Sequence, residues 1–375
     1  MLSGFAGFAA LLLFSSCAST KSIKNPGLSD QDIHSIDSVC LRQLNQGHFP
    51  GLAISVVQGD KSAWSKGYGY SNLEKKTPVN PGTDLFRVGS ISKTITASAL
   101  ARLAERKLID LDAPISTYYK ECPEDKRILT LRQIGGHLAG IRHYRGIEFL
   151  SNIHYTNVTA PLEVFIHDTL LFQPGTKFNY STYGWTLISA VMEKAIKKPF
   201  LDIINEEVKY PLQLNDLKAD LKDSTTYQRV AFYEFQEGKA IVSPVVDNSN
   251  KWAGGGFLCS AEDLGKFGIS VAQPGFIKGK TLDMFTQSQL TTGEEITGYG
   301  IGFRVGKDDH GRLWYGHSGG SVGGTSMLLI YPEQDLAIVT LVNLGSAEMD
   351  DLAWKIGEII VNSDTSAPLR KRNEK

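Results

Sequence analysis

Phe86 to Ala97 reads FRVGSISKTITA. Ser90 and Lys93 stand three apart, Gly89 precedes the serine, and an apolar run follows through Ile91, Ile95, Ala97, Ala99, Leu100 and Leu103. That run predicts a helix beginning near Ser90. Residues three apart on a helix share a face, so the pattern sets an ammonium beside a hydroxyl. The backbone N–H groups of a first helical turn also lack internal partners. A serine hydroxyl becomes a nucleophile when a base stands beside it. A lysine held in dry surroundings loses its proton nearer neutral pH and could be that base. The competing reading is a plain cap, with Ser90 starting the helix and Lys93 solvated in its first turn. Roughly one or two chance S-x-x-K matches are expected in a chain this long, and Ser90 heads the only one. Other stretches must decide.

Pro174 to Ala190, PGTKFNYSTYGWTLISA, sets Tyr180 and Ser181 just before an amphipathic helix. A tyrosine at such a junction can present its phenol to a cleft. A phenol titrates at about 10 in water, so it acts as a base at neutral pH only beside a cation, for which Lys93 is the candidate. The commoner use of such a tyrosine is packing. Trp314 to Asn343 opens WYGHSGG and continues as two strand-like runs around Pro332–Gln334. His317 among glycines offers an imidazole and accessible backbone N–H groups that could hold an oxyanion; the alternative is a strand end with a solvent-facing histidine. Gly254–Gly256 let backbone approach a neighbour closely, with Trp252 as a cleft wall, or form a surface loop. His137 and His143 read as a capping or packing pair, since no carboxylate is spaced to complete a metal site.

The chain has 375 residues and a formal net charge of -1, which gives no general attraction to nucleic acid. No cofactor or metal motif is present. Leu2 to Phe14 is apolar and is followed by Ser15-Ser16-Cys17, which reads as a secretion signal over 1–17 resembling a lipoprotein cleavage site with Cys17 as the lipidated residue. The expectation is a periplasmic or cell-envelope protein, held to the membrane by its lipid alone. Residues 18–29 read as a tether, 30–362 as one domain and 363–375 as a charged disordered tail. Cys40, Cys122 and Cys259 are too few and too widely spaced for a disulfide framework and read as buried thiols.

The order S-x-x-K, Tyr-Ser, His-x-Gly, with FRVGSISK, PGTKFNYS and GHSGG in context, resembles the serine β-lactamase and penicillin-binding superfamily over about residues 51–343. Its class C branch, with esterase and peptidase relatives, is the most similar. RQIGGHLAGIRHY, KFNYSTYGWTLISA and VDNSNKWAGGGFL further resemble the family of mitochondrial serine β-lactamase-like proteins and their bacterial relatives. The resemblance implies an α/β, β-lactamase/transpeptidase-like fold: an antiparallel sheet flanked by helices plus a mostly helical subdomain at about 108–250. It implies Ser90 as the acylated nucleophile, Lys93 and Tyr180 as its proton partners, and the backbone N–H groups of Ser90 and Gly320 as the oxyanion hole. His317, Gly319, Thr182 and Trp252 would line the substrate site.

Two positions depart from the family's pattern. Thr182 stands where Asn is usual, and His317 where many relatives carry Lys. A neutral imidazole grips a carboxylate less firmly than an ammonium. Both changes argue against drug-type β-lactamase activity and leave acyl transfer intact. The expected function is a serine hydrolase of a small-molecule or peptide substrate, an amide or ester. One alternative is a non-catalytic scaffold forming a homo-oligomer, as the filament-forming mitochondrial member implies. The other is a D-Ala-D-Ala carboxypeptidase or weak β-lactamase.

Overall fold

The computed structural model describes residues 28–363 except Asp60 and Asp350. The expected signal, Cys17, most of the tether and nearly all of the tail lie outside the described residues. Seven strands form one antiparallel sheet: β1 Gly51–Gln58, β2 Lys61–Asn72, β3 Thr77–Pro78, β4 Arg304–Lys307, β5 Leu313–Ser321, β6 Gly324–Tyr331 and β7 Leu336–Val342. Their order is β3-β2-β1-β7-β6-β5-β4. The sheet therefore joins strands from both ends of the chain, with Leu52 opposite Val342 and Gln58 opposite Leu336.

The strand sequences set which side each residue buries. Along β1, Leu52, Ile54 and Val56 join one apolar cluster and Ala53 and Val57 the other, the period-2 alternation of a strand covered on both faces. The first cluster is closed by helix α1 Asp30–Gln46 and the last helix of the described chain, Leu352–Ser363. Ser29 starts α1 with a capping box shared with Asp32. Against the second face lies Ala261–Ala272, started by Ser260. A Cβ on Gly265 would come 2.6 Å from Ser55 Oγ, so small residues let this helix lie close on β1.

Beyond that helix lie α2 Ser92–Glu105 and α3 Thr182–Ile196, packed together in the larger core. The region between 108 and 250 holds α3, the short helices Leu131–Gly135 and Phe200–Ile204 and a series of tight turns. Leu108–Tyr119 and Pro161–Leu171 hold only the single tight turns Ile115–Thr117 and Ala160–Val164. Their apolar residues, Ile115, Leu162 and Phe165 among them, are buried in the larger core. A hairpin, Tyr233–Gln236 with Lys239–Val242, also lies here. Cys40, Cys122 and Cys259 are buried free thiols. Among the described residues no helix is long and apolar enough to cross a membrane.

Candidate active site

The site begins where Phe86–Arg87 pairs with Leu258–Cys259 and delivers the chain to Gly89. Gly89 takes φ +50°, and a Cβ there would come 2.8 Å from the Gly320 nitrogen. Glycine therefore lets the start of α2 press against β5. Gly89–Ile91 is one tight turn running straight into α2. Ser90 is thus not a cap, and no side chain caps this helix.

Lys93 is completely buried. Its Nζ lies 3.0 Å from Ser90 Oγ, 3.1 Å from Thr182 Oγ1 and 2.5 Å from the Gly254 carbonyl oxygen. Burial pushes its pKa well below the ordinary lysine value, and the charges of Arg304 and Lys251 add to the effect. Tyr180 lies with its ring 4.8 Å below Lys93 Nζ. Burial raises the phenol's pKa, against which contact with Ser90 and the charge of Arg304 act only partly. The expected lowering of Tyr180 by Lys93 is not found, since Lys93 is not among the groups that act on the phenol.

The turn that carries Tyr180 is held from one side. Nδ1 of His137 accepts the Ser181 N–H at 3.1 Å, and Nδ1 of His143 accepts the Thr182 N–H at 3.2 Å. Ser181 caps α3 by accepting the Gly184 N–H and donates its own hydroxyl to the Arg142 carbonyl. The two histidines thus act as caps, one of the two readings the sequence left open. Burial lowers the pKa of both, that of His143 to about 4, so they act as neutral acceptors.

His317 on β5 is buried. Its Nδ1 donates to the Ser318 carbonyl at 2.5 Å and its Nε2 accepts from the Tyr299 hydroxyl at 2.8 Å. Burial holds its pKa well below the usual histidine value, with Lys93 nearby adding to this. Both ring nitrogens are committed, so His317 offers the site a neutral edge rather than a cation.

These groups meet in a pocket of about 610 Å³ lined by Ser90, Tyr180, Arg304, His317, Ser318 and Gly320, with Val322 just past the end of β5 and Glu234 of the Tyr233–Gln236 strand also on its wall. Three residues expected on its wall are elsewhere. Thr182 is buried with its hydroxyl on Lys93, because the second residue after Tyr180 already lies in α3 and turns inward. Trp252 sits in the larger core. Gly319 faces the Val88 backbone, where a Cβ would come 2.1 Å from the carbonyl oxygen.

Arg304 was not singled out by the sequence, since a lone arginine has no local signature. Register brings it in: it stands opposite Gly316 on β5, with its guanidinium 5.9 Å from the Tyr180 ring centre. Among the described residues it forms no ion pair.

The family model Beta-lactamase matches residues 37–360. The serine beta-lactamase-like protein LACTB, mitochondrial, of Homo sapiens is 29% identical, over 76% of this chain and 69% of that one. A D-amino acid amidase from Ochrobactrum anthropi, solved with D-phenylalanine, superposes with a TM-score of 0.78 at 18% identity, covering 89% of this chain and all (100%) of that one. A D-stereospecific amidohydrolase from Streptomyces sp. gives a TM-score of 0.72 at 22% identity over 86% of this chain and 97% of that one. With the family model spanning the sheet, the Ser90 helix and the His317 strand alike, the chain belongs to the beta-lactamase family, on the fold that these two solved structures share.

Proposed function

We propose that this protein hydrolyses an amide or ester through an acyl-enzyme on Ser90, with Lys93 as the base. The observation that carries this reading is a completely buried lysine amine 3.0 Å from the Ser90 hydroxyl. A neutral amine has two N–H bonds and one lone pair. The Gly254 carbonyl can only accept, so it takes one N–H; with the Thr182 hydroxyl accepting the other, the lone pair faces the Ser90 O–H. Lys93 takes that proton as Oγ attacks the substrate carbonyl. The N–H groups of Ser90 and Gly320 hold the oxyanion. Tyr180, kept protonated by burial, passes a proton to the leaving group, and the Lys93 ammonium replaces it. Water then attacks the ester by the same steps in reverse.

The neutral, doubly bonded His317 is not the group that would grip an anion; Arg304 is. Its free guanidinium beside Tyr180 favours a leaving group that bears a carboxylate, as the C-terminal residue of a peptide does. Arg304→Met is expected to lower kcat/KM for a peptide with a free C-terminal carboxylate about 10- to 100-fold relative to its C-terminal amide. Loss of the Arg304 charge also alters Lys93, but equally for both substrates, so the ratio isolates binding. An unchanged ratio would remove Arg304 from recognition.

The direct test of the function is intact-mass analysis after treatment with a fluorophosphonate, followed by peptide mapping. One adduct on Ser90 is expected. A folded protein that takes up none would refute the acyl-enzyme. A parallel penicillin adduct would place the protein among the carboxypeptidase-like members.

A further inference from the structure

The groove along β5 carries a charge at each end. Arg304 stands opposite Gly316, four residues before Gly320, or about 13 Å at the usual strand rise. Glu234 stands at the other end, where its Oε1 accepts the Gly323 N–H at 2.7 Å, in the two-residue turn Val322–Gly323 that joins β5 to β6 beyond Gly320. Both side chains line the same pocket, with Ser90 between them. Glu234 comes from the hairpin Tyr233–Gln236, tied to the sheet by the Tyr233 N–H to the Asn343 carbonyl and the Gly345 N–H to the Tyr233 carbonyl. A Cβ on Gly345 would come 2.2 Å from the Glu234 carboxylate, so the glycine makes the space this carboxylate occupies. Among the described residues Glu234 has no cationic partner, and it lines the pocket.

The direction of a bound substrate follows from the proton donor. The leaving group must lie on the side of Ser90 where Tyr180 and Arg304 stand. The acyl part therefore runs past Gly320 toward Ser321, Val322 and Glu234.

We infer that Glu234 is an ammonium-binding site for the acyl side of the substrate, making this a groove for short peptides that carry an amine upstream of the cleaved bond. That amine is either the peptide's own N-terminus or a side-chain amine nearer the bond. The inference rests on the reading of Ser90 as nucleophile only for which end is the acyl end.

Binding tests it without turnover. The Ser90→Ala protein is titrated calorimetrically with alanine tetrapeptide, its Nα-acetyl form, Nα-acetyl-Lys-Ala and the doubly acetylated form of that dipeptide, each with D- and L-alanine at the C-terminus. A free amine is expected to tighten binding about five- to thirtyfold over its acetylated partner. The gap should close in a Ser90→Ala/Glu234→Gln protein, where glutamine still accepts the Gly323 N–H. A gap in the tetrapeptide pair assigns the amine to the N-terminus, and one in the lysine pair to a side chain. A gap below twofold in both pairs, absence of binding included, or one that survives Glu234→Gln, overturns the inference. A missing fluorophosphonate adduct alongside a Glu234-dependent gap would refute the hydrolase and leave the ammonium site standing.

Discussion

Lys93→Met is expected to lower the rate of Ser90 acylation about 10³-fold or more and to change how stability responds to pH. The rate effect follows from removing the one group positioned to take the serine proton; a well-placed general base contributes about 10²–10⁴-fold. The stability effect follows from burial. In the unfolded chain Lys93 is an ordinary amine that holds its proton up to a pH of about 10.4. In the folded protein its pKa lies well below that. Between the two values the unfolded state binds one more proton than the native state. Stability of the parent protein therefore rises with pH across that window, by about 1.4 kcal/mol per unit from this one group. Methionine fills similar volume and titrates nowhere. It leaves the Gly254 carbonyl and the Thr182 hydroxyl without their donor, a penalty that does not depend on pH. The unfolding free energy of the variant minus that of the parent should thus fall steadily as pH rises toward 10, whatever its sign at pH 6. Equilibrium denaturation at several pH values measures this. A difference that stays flat would mean that Lys93 is charged in the folded protein, and with that the proton-transfer scheme would fail.

The stretch around Ser90 announced itself because its chemistry is local. A nucleophile and its base three apart, on a tight turn running straight into a helix, are fixed locally, and the β6–β7 pair is likewise set by its strand-like runs and the turn between them. Arg304 and Glu234 were illegible for the opposite reason. Neither belongs to a motif; each reaches the pocket through strand register or a backbone hydrogen bond from a distant segment. Tyr180 was legible as a site residue but not in its state, because its pKa depends on burial that no spacing reveals. Thr182 was misplaced by one geometric step. The motif read as a row of side chains facing substrate, but α3 begins at Thr182, and that rotation turns its hydroxyl to Lys93. Trp252 beside three glycines looked like a wall of the cleft, yet the glycines' closeness serves other neighbours. A Cβ on Gly254 would come 2.7 Å from the Thr182 side chain and one on Gly256 2.7 Å from the Asn248 carbonyl oxygen.

The same closeness makes Gly319 the most sensitive backbone position near the nucleophile. A Cβ there would come 2.1 Å from the Val88 carbonyl oxygen and 2.2 Å from Ser326 Oγ. The serine side chain could rotate, but it is bonded to that same carbonyl at 2.8 Å. The carbonyl is backbone one residue before Gly89, in the segment that sets Ser90, so it cannot move without moving the nucleophile. Gly319→Ala must therefore push β5 away from the start of α2. We expect a loss of about 3 kcal/mol in stability from the overpacked contact. Displacing the Gly320 N–H from the oxyanion should further cut acylation about 10²–10³-fold. Gly320→Ala is the matched control. Nothing lies within 4 Å of a Cβ at that position, so the fold and the N–H are both retained. Denaturant unfolding and the rate of fluorophosphonate labelling separate the two variants. If Gly319→Ala labels at the parent rate, β5 is not held against the Ser90 turn by the absence of a side chain, and the Gly320 N–H is not the oxyanion donor.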